Sequence, residues 1–330
     1  MSAKQYDVVG VGNAIVDVIT HAGDEFLTEQ DLTKGSMTLI DADRAIALYK
    51  AMGPGAESSG GSAANTVAGV ASFGGRAGFI GKVRDDQLGE IFRHDIRAAG
   101  VDFAVPAGTD GPPTARCLIL VTPDAQRTMN TFLGISSLLA PGDVDPDLAT
   151  SAEVVYCEGY IWDVPQAKEA IVKAFDHAHE GGGKVSFALS DSFCVDRHRA
   201  EFHSLVDDRV DVLFANEDEI CSLAEVDDFD AALDAVQGRC EVAVLTRSEK
   251  GSVIVTADEV HEIPAEPVDE VVDTTGAGDL YAAGFLHGYT QGLDLPVCGR
   301  LGAAAAAEVI THLGARPDVP LTEIAGLVLG

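Results

Sequence analysis

Short β-branched segments alternate with alanine-rich segments of helical period along most of this 330-residue chain, and this alternation most constrains its fold. Strands that alternate with helices build a parallel sheet with helices on its faces, an α/β architecture. The pattern predicts strands at Val8–Val11, Ala77–Ile80, Val154–Cys157, Lys184–Phe187, Val212–Phe214 and Val242–Leu245. It predicts helices at Ser62–Phe73, Gln87–Ala98, Gln166–His179, Ala277–Tyr289 and Val297–His312.

Two regions interrupt the alternation and predict a second, smaller β-sheet. In the later region, "TARCLILVT" and "RTMNTFL" flank the turn "PDAQ" and have the pattern of a hairpin. We expect this small sheet to cover a site and exclude water, although a peripheral hairpin would show the same pattern. The predicted large domain comprises residues 1–17, 42–102 and 137–330, and the predicted small β lid comprises residues 18–41 and 103–136.

The composition limits the partners and the compartment. The net charge of −31 repels phosphate backbones, so we predict no nucleic-acid partner, and any bound phosphate must be held by local dipoles and a metal ion. No signal-peptide core follows Met1, and no apolar run is long enough to span a membrane, so we predict no membrane partner. The cysteines lack a C-x-x-C pair, which favours reduced thiols in a cytoplasmic protein. They are Cys117, Cys157, Cys194, Cys221, Cys240 and Cys298.

Two familiar nucleotide-binding motifs are incomplete. The first strand leads into Gly10-x-Gly12, but Ile15 stands where a dinucleotide-binding fingerprint needs its third glycine. The pair Gly81-Lys82 is not a P-loop, because Val83 replaces the required hydroxyl residue. These observations argue against a nicotinamide or flavin enzyme and against a Walker-type site.

A first glycine-rich segment, "ESSGGSAANTVAGVASFGG", precedes a predicted helix. Gly60 and Gly61 allow backbone amides to approach a ligand, and Ser62 is a candidate helix cap. Asn65, one turn into the helix, has an amide that can both donate to and accept from a hydroxyl group. An ordinary capped helix after a turn would show the same residues.

A second glycine-rich segment, "VVDTTGAGDLYAAGFLHGY", carries a sharper chemical signal. The successive amides of Gly276, Ala277 and Gly278 at a helix N-terminus form an anion hole. Asp279 follows directly, where a carboxylate is electrostatically awkward unless it accepts a proton from a nucleophile. The segment therefore predicts a base beside a phosphate-binding turn, with a capping carboxylate as the simpler alternative.

Together, "DTTGAGD" and "GGSAAN" resemble the paired signatures of the ribokinase (PfkB) family of carbohydrate and nucleoside kinases, over nearly the whole chain. The resemblance implies a ribokinase-like fold, phosphoryl transfer from ATP, and Asp279 as the base. It also accounts for the first strand, because "GNAIVD" matches a family segment whose aspartate, here Asp17, binds hydroxyl groups of the substrate. Asn13, Gly61 and Asn65 are the other acceptor contacts that it implies.

The resemblance also implies a binding site for ATP and Mg²⁺. "FANEDEI" is similar to the family's Asn-x-x-Glu, so Asn216 and Glu219 would organise Mg²⁺ and its waters. Thr246 and Gly251 match an ATP-contacting turn, in which Ser248 replaces a common glycine. Some members bind K⁺ near the positions of Asp273 and Thr275 and in the C-terminal stretch "LGARPDVP". There, Asp318 departs from the expected small hydroxyl residue, which leaves K⁺ open.

Within the family, three segments resemble adenosine kinases: Gly12-Asn13, "FALSDSFCVDRHR" and "EGYIWDV". The last two supply Tyr160, Phe193 and Trp162. Aromatic rings would stack on a base but help a plain sugar little, although core residues at strand ends would show the same pattern. The expected reaction is phosphorylation of the adenosine 5′-hydroxyl to AMP. The alternatives are a ketodeoxygluconate, ribose or fructose kinase, with "QRTMNTFLGIS" favouring an acid sugar, and a non-catalytic nucleoside-binding protein. The expected assembly is a monomer or homodimer.

Overall fold

The structure is a computed structural model that describes residues 4–124 and 126–330. Its strands are β1 (Tyr6–Val11), β2 (Ile15–His21), β3 (Met37–Leu39), β4 (Ala56–Gly60), β5 (Ala77–Ile80), β6 (Val101–Asp102), β7 (Ala115–Val121), β8 (Arg127–Phe132), β9 (Ala152–Glu158), β10 (Lys184–Ala188), β11 (Val212–Asn216), β12 (Val242–Thr246), β13 (Ser252–Val255) and β14 (Val260–Ile263). Its α-helices are α1 (Asp24–Glu29), α2 (Ala42–Ala51), α3 (Ser62–Ser72), α4 (Gln87–Ala98), α5 (Pro146–Thr150), α6 (Pro165–Glu180), α7 (Ser192–Asp208), α8 (Glu217–Ala224), α9 (Phe229–Val236), α10 (Ala277–Thr290), α11 (Leu295–Val309) and α12 (Leu321–Leu329). Short 3₁₀ turns occur at Gly134–Leu138, Pro141–Asp143, Gly159–Asp163 and Ser248–Lys250.

Within the described residues, nine strands form the large sheet in the order β14-β13-β12-β11-β10-β9-β1-β5-β6. The strands from β12 to β6 run parallel, whereas β13 and β14 are antiparallel additions at one edge. This confirms the predicted ribokinase-like, mostly parallel sheet, and every predicted strand and helix is present with ends that shift by a few residues. Parallel strands end on one edge of the sheet, where ligands bind in such folds. Here that edge collects Glu158, Asn216 and Thr246.

The small sheet has the order β3-β8-β7-β2-β4 within the described residues. The predicted hairpin is present as antiparallel β7 and β8, although residue 125 of its turn lies outside the described residues. The sheet also includes β4 and the start of β2 at Ile15, in ranges that the sequence pattern assigned to the large domain. The segment Ala56–Gly60 has no alternating pattern of its own. It becomes a strand because it pairs with β2.

One hydrophobic core spans the large sheet and its helices, and Cys117, Ile119 and Val121 form a separate apolar cluster on the small sheet. The six cysteines form no disulfide in the described part of the chain. No helix among residues 4–124 and 126–330 has the length and apolar character that crossing a bilayer would require.

Candidate active site

Asp279 lies in the first turn of α10 and is held by two side chains of α3. Its Oδ1 accepts a hydrogen bond from Ser62 Oγ at 2.7 Å, and its Oδ2 accepts one from Asn65 Nδ2 at 2.9 Å. The two helices approach closely because residue 69 is a glycine, where an added methyl would lie 2.6 Å from Cβ of Ala283. This close packing joins the two glycine-rich motifs.

The surroundings of Asp279 suit a base that receives a proton from a hydroxyl group. Asp279 is half-buried, and burial raises the pKa of its carboxyl, while hydrogen bonds from Asn65 and Ser62 and the charge of Arg316 lower it. Asn65 Oδ1 is buried and has no hydrogen-bond partner among the described residues. This unpaired oxygen can accept a hydrogen bond from the ligand beside the base.

The predicted anion hole lies at the start of α10. Gly276 has φ 81°, and a Cβ there would lie 2.7 Å from that of Ala315, so the turn requires glycine. The Ala277 amide donates to the carbonyl of Thr274 at 3.2 Å. Within the described part of the chain, the amides of Gly276 and Gly278 have no backbone partner, and an added Cβ on Gly278 would meet no atom within 4 Å. Two of the three expected donors are therefore unpaired.

Asp17 lies on β2, opposite Cys117 of β7. Strand β4 passes so close that a Cβ on Gly60 would lie 2.2 Å from Asp17 Oδ2. Burial raises the pKa of Asp17 to about 7, although the charges of Arg316 and Arg127 lower it. The charge of Asp279 also raises the pKa of Asp17, so the small sheet brings this carboxyl group near Asp279.

Asn13 is buried and bonded within the protein. Its backbone amide and Nδ2 donate to Glu158 Oε1 at 2.8 and 2.9 Å, and its Oδ1 accepts from Ser136 Oγ at 2.8 Å. Glu158 Oε2 accepts from the Ala63 amide at 2.7 Å, which ties the end of β9 to the start of α3. Gly61 caps α3 with φ 100°, and a Cβ there would lie 2.2 Å from the Asn13 carbonyl oxygen. These contacts favour a positioning role for Asn13 over the expected direct contact with a sugar.

The three aromatic candidates separate into two groups. Trp162 is buried, packs against Phe187 and Phe202, and donates from Nε1 to Glu201, so it belongs to the core. Tyr160 and Phe193 are exposed, and the Tyr160 hydroxyl donates to the carbonyl of Ser190 at 2.8 Å. Only this second group presents rings that a bound base could contact.

Asn216 and Glu219 form a capping box at the start of α8. Asn216 donates through its backbone amide and Nδ2 to the Glu219 carboxylate at 3.0 and 2.7 Å, and its Oδ1 accepts from the Glu219 amide at 2.8 Å. The box explains the Asn-x-x-Glu spacing without a metal ion. Each carboxylate oxygen still has a free lone pair, so the pair fits a hydrated Mg²⁺ contacted through water. No cluster of three or more potential metal ligands of the His, Cys, Asp or Glu type occurs in the described residues.

A cavity of about 640 Å³ lies at the ends of β11 and β12, and Asn216 and Thr246 line it together with Arg247 and Ser248. Ser248 has φ 51°, a left-handed conformation that explains why glycine is common at this position. Gly251 closes the same turn, and a Cβ there would lie 2.1 Å from the Ile263 carbonyl oxygen. The packing alone therefore accounts for glycine at residue 251.

The two residues that the resemblance implied for K⁺, Asp273 and Thr275, both contact an arginine. Arg127 of β8 forms a salt bridge with Asp273 at 2.6 Å and donates to Thr275 Oγ1 at 3.2 Å. Asp273 also accepts from the Thr275 amide and hydroxyl at 3.1 and 2.8 Å and from the Gly314 amide at 2.9 Å. A carboxylate already neutralised by a guanidinium does not fit a potassium site.

The sequence reasoning missed three residues of this region as site residues: Glu158, Arg127 and Arg316. Arg127 had a detectable signal because it lies in the predicted hairpin. Glu158 directly follows the predicted strand Val154–Cys157, but its burial is not visible in the sequence. Arg316 lies in an irregular segment, between α11 and α12, for which no periodic signal exists.

A carboxylate at a helix N-terminus with unpaired amides beside it fits an ATP-dependent phosphotransferase that acts on a hydroxyl group. Residues 51–322 match the pfkB family of carbohydrate kinases, and the chain belongs to this family. It resembles the structures of a probable sugar kinase from Rhizobium etli CFN 42 (51% identity, TM-score 0.92, 98% of each chain) and of an adenosine kinase from Sinorhizobium meliloti (52%, 0.91, 98% of this chain and 99% of the other). An adenosine kinase of Saccharomyces cerevisiae is 28% identical over 339 residues, 96% of this chain and 98% of that protein.

Proposed function

We propose that the protein transfers the γ-phosphoryl group of ATP to the 5′-hydroxyl of adenosine. The observation that carries the proposal is the contact of Asn65 with Asp279, which sets a base beside an unpaired buried oxygen. Asp279 directly follows Gly278 in the chain, so a hydroxyl group that donates to Asp279 would lie near the unpaired amides of Gly276 and Gly278. A protein that only binds nucleosides needs no such base.

In the proposed reaction, Asp17 and Asn65 hold ribose hydroxyls while Asp279 accepts the proton of the attacking hydroxyl. The amides of Gly276 and Gly278 stabilise negative charge on the phosphoryl oxygens, and catalysis is mainly positioning and electrostatics. Mg²⁺, when bound with ATP, would neutralise phosphate charge, and Asn216 and Glu219 would hold its waters.

The small sheet supports a nucleoside acceptor because its Asp17-bearing face is otherwise largely apolar. Register places Ile19 on the same face as Asp17, and Ile119 and Met129 lie beside it on β7 and β8. Apolar side chains above the site favour a flat heterocycle over a plain sugar. The exposed ring of Phe193 is a further candidate for contact with the base.

A second candidate is an acid-sugar kinase. Arg127 and Arg316 both act electrostatically on Asp17, and two cations near an acceptor site would also suit a sugar carboxylate. Ketodeoxygluconate is the acceptor that would use them in this way.

An acceptor panel with coupled detection of ADP tests the proposal. We expect turnover with adenosine to exceed turnover with inosine, ribose, fructose and ketodeoxygluconate. Asp279→Asn should lower kcat at least ~100-fold and leave adenosine binding nearly unchanged, because it removes the base but keeps the side-chain shape. Turnover of ketodeoxygluconate or a neutral sugar without turnover of adenosine would refute the adenosine assignment, and near-normal kcat in Asp279→Asn would refute the role of the base.

A further inference from the structure

Arg316 joins the C-terminal part of the large domain to the small sheet. Its Nη2 donates to the carbonyl oxygen and the hydroxyl oxygen of Ser59 on β4, at 3.3 and 3.2 Å. The Ser59 amide in turn donates to Asp95 of α4 at 2.9 Å. These bonds hold the guanidinium at the end of β4, directly before the glycine pair Gly60 and Gly61.

The other two nitrogens of Arg316 lack partners. Nε and Nη1 are buried and make no hydrogen bond to any described residue. Burial lowers the pKa of Arg316 to about 10, whereas Asp17, Asp279 and Asp95 raise it, so the side chain is a cation at neutral pH. Buried charged donors without acceptors are costly, so these two N–H groups are candidates to donate to oxygens of a ligand.

Two carboxyl groups of the candidate site lie close enough to Arg316 to act on it. Asp17 and Asp279 both act electrostatically on Arg316, yet within the described residues its hydrogen bonds go to Ser59. The guanidinium is therefore near both the carboxyl group assigned to the acceptor and the one assigned to its proton. In the proposed reaction, the negative charge of the transferring phosphoryl group would pass close to this guanidinium.

We propose that Nε and Nη1 of Arg316 bind two oxygens of the phosphoryl group during its transfer and hold the same group in the phosphate monoester product. A planar pair of N–H donors matches two oxygens of a phosphate. In the transfer, the acceptor oxygen bonds to the γ-phosphorus, the bond from that phosphorus to the β–γ bridging oxygen breaks, ADP leaves with the electron pair, and the proton goes to Asp279. Arg316 takes part only through hydrogen bonds and charge. The inference rests on the proposed function.

Calorimetric titration of Arg316→Gln, Arg316→Lys and the wild type with adenosine and with AMP, together with steady-state kinetics, tests this role. We expect Arg316→Gln to weaken AMP binding at least ~10-fold and to lower kcat ~100-fold, with adenosine affinity changed less than ~3-fold. Arg316→Lys should recover part of both losses because it keeps the charge but not the paired donors. Arg300→Gln, which removes an exposed positive charge from α11, is the matched control and should behave as the wild type.

Unchanged AMP affinity, or equal losses for AMP and adenosine, in a variant with wild-type thermal stability would overturn the inference. If Arg316→Gln does not fold, the ratio of AMP to adenosine affinity in Arg316→Lys decides in the same way. Weakened ketodeoxygluconate binding with unchanged AMP binding would assign Arg316 to a substrate carboxylate and would also overturn it. The wild-type acceptor panel tests the proposed function separately. If another acceptor is used, that acceptor and its monophosphate replace adenosine and AMP in the comparison.

Discussion

Asp17, Glu158 and Glu219 each carry a carboxyl group whose pKa burial raises to about 7. Because the folded pKa lies above the unfolded value, each group contributes stability at low pH that is lost as the pH rises through about 7. Side chains that weaken the fold at neutral pH are typical of functional sites. Asp17 and Glu219 were predicted from motifs, whereas Glu158 was not, because burial and its bonds to Asn13 and Ala63 appear only in the folded chain.

The raised pKa of Asp17 predicts a pH-dependent acceptor affinity. The ionised carboxylate accepts hydrogen bonds from hydroxyl groups, so adenosine affinity should rise as the pH increases from 5.5 to 8.5, with a midpoint near 7. Asp17→Asn should abolish this dependence and weaken adenosine binding at pH 8.5 at least ~10-fold, with ATP affinity unchanged. Calorimetry with each ligand measures both effects.

Asp258→Asn, which changes an exposed carboxyl group between β13 and β14, is the control for Asp17→Asn and should keep the wild-type profile. A pH-independent wild-type affinity for adenosine, or equal losses for adenosine and ATP in Asp17→Asn, would contradict the assignment.

Among the helices and strands, some are set by the local sequence pattern and others by pairing with a distant strand. Helix α4 and strand β5 have the bounds that their residues predict, because apolar period and the capping residue Asp86 are local signals. Strand β4 was not predicted because "AESSG" has low intrinsic strand preference. Its extended conformation comes from pairing with β2. The same pairing brings Gly60 into close contact with Asp17.

The N-terminus of α10 predicts an effect of Gly278→Ala. A helical Cβ tilts towards the N-terminus, so this methyl would lie over the amides that we propose bind the phosphates. No protein atom lies within 4 Å of it, so the fold should accept the change and gain about 0.5–1 kcal/mol, as alanine favours helices. We expect kcat/KM for ATP to fall ~10–100-fold, measured by kinetics alongside thermal unfolding.

Gly326→Ala in α12, which also meets no atom within 4 Å, is the matched control for Gly278→Ala and should gain similar stability at full activity. Unaltered ATP kinetics in Gly278→Ala would show that the phosphates do not approach this turn.

For the whole molecule, the net charge of −31 opposes both folding and the binding of ATP. Local positive groups counteract this charge at the candidate site: the unpaired amides of α10, Arg127 and Arg316. Arg127 also connects β8 to the segment before α10, so the small sheet contacts the large domain through an ion pair. That ion pair takes the place in which the family resemblance allowed K⁺.

This charge predicts that salt stabilises the protein. Raising NaCl from 0.1 to 1 M shortens the Debye length from ~10 to ~3 Å and should raise Tm by about 2–8 °C, because repulsion among carboxylates is screened. Differential scanning calorimetry measures the change. KCl at equal concentration should give the same Tm, since Arg127 already neutralises Asp273. A fall in Tm with salt would contradict the argument from net charge, and an excess effect of K⁺ would show a specific potassium site.

The sequence by itself determined the alternation of the main strands and helices and the positions of the glycine turns, because hydrophobic period and glycine conformation act over a few residues. The role of Asp279 as the base stays a prediction. Only the tertiary structure decided that Asn65 bonds to Asp279, that Asn13 faces Glu158, and that Arg127 and Arg316 converge on the site. Those contacts depend on strand register and helix packing between segments far apart in the chain. The pattern of one segment does not specify which distant segment it contacts or how closely the two pack.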